Sequence, residues 1–526
     1  MSAKDVMSDA AHALAPDPEE VNGPNAQKLE NGGPNERDNE PPPPPPQIHN
    51  LEKAMKQIQL PIIDPTDVPI LRLHDILLYG VKDTRHDFLM ALCRPYMDPA
   101  VATEPLAHMR YGHRLHFSKP GDTTTMPSIL QLITSLSSDI SRMELAKDIS
   151  VQFEPLRSDK HPTEDVDVIL KIKPVSRFFL RTSTSVGNSE GTASVQGKLR
   201  NVFGGAETLE GSATLGTRTK HSYNFVFSSP VLACPDFWAN VSAISQHRDL
   251  TAFIRAHEGQ HLLRSSLIYA KGDGARHELA YEASHRHFHH ILPDASLSIR
   301  RLAKPSFKSA ISYTFEHDTR DNTIATMVGS YFRSFTEYAG LGGDTSYFKT
   351  DTQASVSDTF ANGLTWSLAA KTGLLIPLNG CVPCLNDRFM LGGPTCIRMF
   401  RLNSLGPKFR HDSLGGDAFW AVGASLLSPI PMRSHWPLKL HAFTNLGQLA
   451  QVQPNAARKH HHWTELAQPS VSAGFGVLFQ QGPVRLELNF GLPLVARVGD
   501  GIRKGLQFGI GIDSVSYTHL TLPTKR

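Results

Sequence analysis

A chain of 526 residues that is 40% hydrophobic and carries a net charge of +3 can hold several ordinary domains, or one large closed sheet beside a smaller domain. The small net charge, with no basic stripe interleaved with aromatics, argues against nucleic acid as a partner. No run of about 18 apolar residues offers a helical membrane span; a membrane β-barrel stays open, because its strands are only alternately apolar.

Residues 1–50 read as a disordered acidic and proline-rich tail: residues 1–40 hold nine acids against three Lys/Arg, and prolines fill 41–46. Such a stretch buries too little apolar surface to fold, and its charge is the reverse of a cleavable mitochondrial presequence. Residues 51–175 read as a small α+β module. A strand is expected over 71–81, a helix over 85–93, and a long helix over 128–149 whose Ile129, Leu132, Ile133, Leu136 and Ile140 recur at helical spacing. Strands follow at 150–155 and 165–172, the second alternating Val166, Val168, Leu170 and Ile172.

Beyond residue 174 the helical pattern gives way to sixteen strand candidates: 177–187, 190–203, 207–218, 220–230, 236–247, 261–271, 276–289, 307–317, 325–338, 346–359, 364–377, 418–429, 438–449, 471–480, 484–494 and 505–512. Most run to about 9–14 residues, the length of tilted membrane-spanning strands. An even number of long strands without intervening helices predicts an all-β transmembrane barrel of about 16 antiparallel strands over 176–512. Between strands eleven and twelve lies a connection, 381–417, too long and too apolar for a turn; it contains Leu391-Gly392-Gly393, Arg398, Phe400 and Arg401 and is expected to fold inward.

Two patterns suggest metal chemistry. His257-Glu258-Gly259-Gln260-His261 matches the zincin signature, in which two histidines on one helix face would bind zinc and Glu258 would act as general base, with Glu278 or Glu282 as third ligand. Gly259 weakens a helix and strand candidates flank the motif, so it reads as a strand-to-strand loop. Cys381 and Cys384 have ligand spacing without a second such pair. His285, His287, His289 and His290 read as a solvated, pH-sensitive strand end. No cofactor or metal is expected, and without a phosphate-cradling Gly-x-x-x-x-Gly-Lys-Ser/Thr no nucleotide hydrolysis is indicated.

Three local patterns point further. Ile397-Arg398-Met399-Phe400 follows a loop signature of branched apolar, Arg, Gly and Phe, with Met in place of Gly; Phe443-Thr444-Asn445-Leu446-Gly447 follows a strand motif Phe-x-Asp-x-Gly, with Asn445 at the acid. Arg503-Lys504-Gly505-Leu506-Gln507-Phe508-Gly509-Ile510 fits polar-x-Gly-x-x-hydrophobic-x-hydrophobic on the last strand candidate. With the module and the barrel, the chain resembles the outer-membrane barrel-assembly superfamily, most closely the fungal-type central barrel subunits of the mitochondrial sorting and assembly machinery.

The resemblance implies a single polypeptide-transport-associated (POTRA) domain at 51–175 in the intermembrane space, and a barrel in the mitochondrial outer membrane. It implies an insertase rather than an enzyme, without catalytic residues, acting on unfolded β-barrel precursors whose C-terminal signal pairs by strand augmentation. Implied partners are peripheral cytosol-facing subunits, other outer-membrane barrels, inner-membrane organising complexes and membrane lipids. A protein-translocating or solute pore of the same superfamily is the alternative. An inward Arg398 needs fixed acceptors; Asn445 and Asp417 are the candidates, with Asp387 and Asp412 in the same connection. The lateral gate is expected between Arg177, Phe178, Phe179, Leu180, Arg181, Thr182, Ser183, Thr184 and Ser185 of the first strand and Arg503, Gly505, Phe508, Gly509 and Ile510 of the last. Residues 513–526 lie beyond the expected last strand and read as a non-native tail.

Overall fold

The computed structural model describes residues 70–518 except 99–121, 156–164, 188–189, 272–273, 322–326, 381, 394–395, 431–435, 452–465 and 482–483. The expected tail over 1–50 and the Cys381 half of the cysteine pair therefore lie outside the described residues.

The N-terminal module is built from β1 (Ile70–Tyr79), α1 (His86–Met97), β2 (Thr123–Thr125), α2 (Met126–Arg142), β3 (Ala146–Pro155) and β4 (Asp165–Pro174). Its sheet has four strands in the order β2-β1-β4-β3, β1 and β4 running parallel. The short β2 is absent from the sequence reading because three threonines carry no alternation. α2 stops at Arg142, short of the expected 149, since Glu144 turns into the left-handed region at φ 55° and the chain enters β3. The apolar stripe of α2, Ile129, Leu132, Ile133, Leu136 and Ile140, is buried against Leu73, Val168 and Leu170 of the sheet, so one hydrophobic layer holds helix to strands.

Sixteen strands then close on themselves: β5 (Phe178–Gly187), β6 (Glu190–Arg200), β7 (Thr208–Gly216), β8 (Thr219–Pro230), β9 (Phe237–Asp249), β10 (His257–Ala270), β11 (Ala275–His289), β12 (Ser306–Asp318), β13 (Gly329–Ala339), β14 (Tyr347–Thr359), β15 (Thr365–Pro377), β18 (Ala418–Pro429), β19 (Leu438–Ala450), β20 (Ser470–Gln481), β21 (Val484–Val495) and β22 (Gly505–Thr518). Helix α3 (Leu297–Leu302) sits between β11 and β12, and the ribbon β16 (Lys408–Phe409) and β17 (Asp412–Ser413) sits in the long connection after β15. Alternation sorts the two faces. Leu263 and Leu267 of β10 and Leu279 and Tyr281 of β11 are exposed outward, while Glu258, Ser284 and Arg286 between those rows are buried inward. Among the described residues no helix is long and apolar enough to cross a membrane.

Two expectations fail in this region. The His257-to-His261 segment is neither helix nor loop: β10 starts at His257, with Glu258 paired to Arg248 and Phe288 on its neighbours. A strand puts Glu258 on the face opposite both histidines, so the zincin geometry cannot form. The last strand also runs on past Ile512 through Thr518, within the stretch set apart as a tail: Ser514-Val515-Ser516-Tyr517-Thr518 alternates polar and apolar residues as a strand does, and these residues pair with β5.

The module packs against the turns at one end of the barrel. Glu144 receives hydrogen bonds from Lys198 Nζ at 2.7 Å and from Arg200 Nε, Arg142 bonds Asp236, and Asn201 Nδ2 donates to Asp83 O at 3.1 Å. Burial works against ionisation of Glu144, yet the hydrogen bonds and charges of Lys198 and Arg200 together hold its carboxyl below the usual range.

Candidate functional site: the inward loop and the barrel seam

The connection 378–417 turns back into the lumen, as its apolar residues require. Phe389, Leu391, Ile397, Phe400 and Leu405 form one buried cluster with Ala310, Tyr347, Leu375, Ala421 and Leu449 of the wall. Loop and wall thus share a core, which fixes the loop as a plug rather than a mobile strap.

Its charged anchor is Asp387, 3% exposed. Arg286 of β11 grips that carboxylate through two nitrogens, at 2.5 and 3.2 Å, the fork geometry that makes arginine pairs strong. Tyr347 Oη lies 2.8 Å from Asp387 and 2.7 Å from Glu337, and Lys349 Nζ donates to the Asp387 carbonyl at 2.7 Å. The network continues along the inner wall, where Lys308 Nζ reaches Glu282 at 2.7 Å and Glu337 at 3.0 Å. Nearby, Asn386 Nδ2 donates to Glu258, giving that residue a structural partner in place of a catalytic role. Asp412 accepts from Arg255 Nη1 at 3.3 Å and from the Ser296 amide at 2.7 Å. Burial first, then the charge of Asp387, pushes the Cys384 thiol up.

The signature segment lies along the wall formed by β19 to β22. Ile397 rests on Gly447 of β19, where a Cβ would collide with its Cδ1 and lie 2.8 Å from the Trp420 carbonyl. Met399, fully buried, has its Cγ and Sδ where a Cβ on Gly491 of β21 would approach to 3.0 Å. Met399 adopts φ 65°, so the backbone keeps the left-handed turn that the signature's usual Gly would enter freely; buried thioether packing holds it there. Between them, the Arg398 guanidinium lies 5.1 Å over the Phe443 ring, with Nη2 3.9 Å from Glu487 of β21. The carboxylate beside Arg398 is therefore Glu487, not the expected Asp417, which lies 4.0 Å from Arg388. Asn445, buried on the inner row of β19, has its Oδ1 2.9 Å from the position a Cβ would take on Gly423. Glu487 is missed by the sequence reading because nothing local marks a lone inward acid; only the register of β21 puts it beside the loop.

The loop tip also runs onto the approach to the last strand. Arg401 N donates to Gly501 O at 2.7 Å and Arg503 N to Met399 O at 2.9 Å; Phe400 and Ile502 form an isolated bridge. Met399 N donates to the buried Gln507 side chain at 3.4 Å.

At the seam, β22 is split. Gly505 to Ile512 pair with β21, Gly505 opposite Gly491 and Phe508 opposite Leu488. Only Ile512 to Thr518 pair with β5, opposite Val186 to Leu180. The expected last-strand gate residues Gly505, Phe508, Gly509 and Ile510 thus lie on the β21 side, and Arg503 precedes the strand. The first-strand residues Leu180 to Ser185 do line the seam, while Arg177, Phe178 and Phe179 lie outside its ladder. Seven residue pairs close the barrel here, against fourteen between β10 and β11, and Ile512 alone is paired on both sides. The stagger follows from strand ends: β21 begins at Val484, opposite Ile512, so the rest of β22 has no β21 residue to face.

A closed sixteen-strand antiparallel barrel with outward apolar rows, an inward loop after its eleventh strand and a short first-to-last seam defines a membrane β-barrel protein with a plugged lumen. The Omp85 superfamily domain matches residues 201–513. The SAM50-like protein of Schizosaccharomyces pombe is 32% identical over 473 residues, covering 88% of this chain and 94% of that protein, and the human sorting and assembly machinery component 50 homolog is 28% identical, covering 70% and 80%. The crystal structure of Haemophilus ducreyi BamA lacking POTRA domains 1–3 superposes with a TM-score of 0.69 over 85% of each chain at 14% identity, which is a likeness of fold. The chain belongs to the Omp85 superfamily and, within it, to the SAM50-like proteins.

Proposed function

We propose that this chain is an insertase that folds β-barrel precursors into the mitochondrial outer membrane, with the module at 51–175 acting as a POTRA domain in the intermembrane space. Its SAM50-like relatives and its fold support barrel assembly without enzymatic chemistry, in company with other subunits of a sorting and assembly machinery. The observation that carries the mechanism is the split last strand. A seam of seven backbone pairs is the least costly place to part the wall. Parting it bares the N–H and C=O groups of Leu180 to Val186, an edge that an incoming strand can pair. The precursor's C-terminal strand takes the place of Ile512 to Thr518, and later hairpins add while their backbone groups stay paired rather than bare in hydrocarbon. The inward loop couples to this event, because Met399 and Arg401 hydrogen-bond to Arg503 and Gly501 at the entry to β22. A lumen partly filled by a packed loop supports assembly over an open solute pore.

Cysteines placed at Thr182 or Thr184 are expected to form disulfides with a cysteine in the last strand of an arriving precursor, and not with its interior strands. Crosslinks confined to strands remote from β5 would refute the gate.

A further inference from the structure

The sequence motifs that the barrel function leaves unused are the histidines, and the fold gathers them. β8 to β11 carry His221, His247, His257, His261, His277, His285, His287 and His289, and all eight fall on the outward rows that also carry the exposed Tyr223, Val241, Leu263 and Leu279. Apart from His277 they lie toward the strand ends farthest from the N-terminal module. The register sets them directly opposite one another: His221 against His247, His257 against His289, and His261 against His285. Gly259 stands between His247 and His287, and its missing side chain leaves the space the His287 ring fills. Ring centroids are 4.3 Å apart for His221 and His247, 5.4 Å for His247 and His289, 5.7 Å for His257 and His289, and 5.2 Å for His289 and His290 of the following turn. One carboxylate attends them, Asp249 Oδ1 at 3.9 Å from His257 Nε2.

We propose that this imidazole patch on the outer wall binds a divalent transition-metal cation of the zinc class. Opposed residues on one face of an antiparallel sheet hold their Cβ atoms about 4.5–5.5 Å apart, a span from which two imidazoles can each reach a common ion at about 2.0–2.1 Å. Imidazole suits zinc, copper and nickel, whereas a hard ion such as calcium or magnesium needs more oxygen donors than the one carboxylate beside the patch supplies. Among the described residues no three donors already surround one point; the rings meet one another at tilted, stacked or edge-on angles, so binding turns two or three of them toward a shared ion. Ligands drawn from one wall leave the outward coordination positions to water or to a donor from a neighbouring molecule. The zincin-like spelling at His257 and His261 is in this light two members of an outer-wall row, with Glu258 facing the lumen.

The test uses the full-length chain folded in detergent or nanodiscs and titrated with cobalt(II) and with zinc(II) against a chelating dye. Saturable binding and a cobalt ligand-field band typical of nitrogen ligation are expected. Affinity should fall at least tenfold in the variant His247→Gln, His287→Gln, His289→Gln, and stay unchanged in His277→Gln. It should also stay unchanged when His460, His461 and His462 are all replaced by Gln, which removes the competing histidine run outside the described residues. Heat-modifiable mobility reports folding, and single replacements of His257 and His289 serve if the triple variant does not fold. No saturable binding, binding that survives the patch replacements, or binding lost with His460 to His462 overturns the proposal.

Discussion

Asp387→Asn isolates the anchor of the inward loop. Arg286 and Asp387 are 4% and 3% exposed and joined by two bonds, so neutralising one leaves an uncompensated buried guanidinium, a cost of about 3–5 kcal/mol. At about 1.4 kcal/mol per tenfold, undocking of the loop rises by about two to three and a half powers of ten. Arg398→Ala acts on a weaker contact, a cation over Phe443 at 5.1 Å and a carboxylate at 3.9 Å, together about 0.5–2 kcal/mol. Loop release can be followed by mass-resolved thiol labelling of Cys396, which packs against the loop cluster. Cys93, buried in α1 with its thiol pushed up to about 12 by burial, stays silent as an internal reference. Asp387→Asn should speed labelling of Cys396 far more than Arg398→Ala, and replacing the pair together, Arg286→Met with Asp387→Leu, should recover most of the loss. Equal labelling in both single variants, or a double variant as open as Asp387→Asn, would refute the anchor.

Other outcomes follow from the same geometry. Arg398→Ala should impair assembly of imported precursors more than it impairs the protein's own residence in the membrane, measured by carbonate extraction beside an assembly assay; normal assembly would remove the loop from the mechanism. A disulfide between cysteines replacing Thr182 and Ser516, which face each other across the seam, should block assembly until reduced, whereas one joining Leu267 and Leu279 of β10 and β11 should not. Gly447→Val should disturb the loop, because its side chain must displace Ile397 against the Trp420 carbonyl; faster Cys396 labelling is the readout. Glu144 titrates lower in the folded chain than its free value of about 4.3, so its contribution to module docking is present above that value and lost as the pH falls through the folded one. Protease sensitivity of the module should therefore rise in that acidic window, and Glu144→Gln should make docking weaker at neutral pH and insensitive across it.

Local chemistry in the sequence determined the repeating part of this protein. Period-two alternation marks all sixteen barrel strands, every one but the last to within about four residues at either end, the 3.6-residue stripe of α2 marks the module's core, and an apolar 37-residue connection marks itself as inward. The signature around Arg398 was legible for the same reason, as consecutive residues in one loop. What sequence could not supply were pairings between distant strands. Glu487 meets Arg398, and Arg286 meets Asp387, only because register and lumenal facing bring one strand residue and one residue of the inward loop together, and nothing within a few positions of either encodes that meeting. The same holds where the reading failed. His257 to His261 spells a helix motif, but ladder hydrogen bonds to β9 and β11 on both sides impose a strand and turn Glu258 to the opposite face. Ser514 to Thr518 alternate as a strand does but were set apart as a tail, and pairing with β5 shows them to be part of the last strand. The tertiary structure alone decided the register in which first and last strands meet, which sets Ile512 to Thr518 rather than Gly505 to Ile510 against β5.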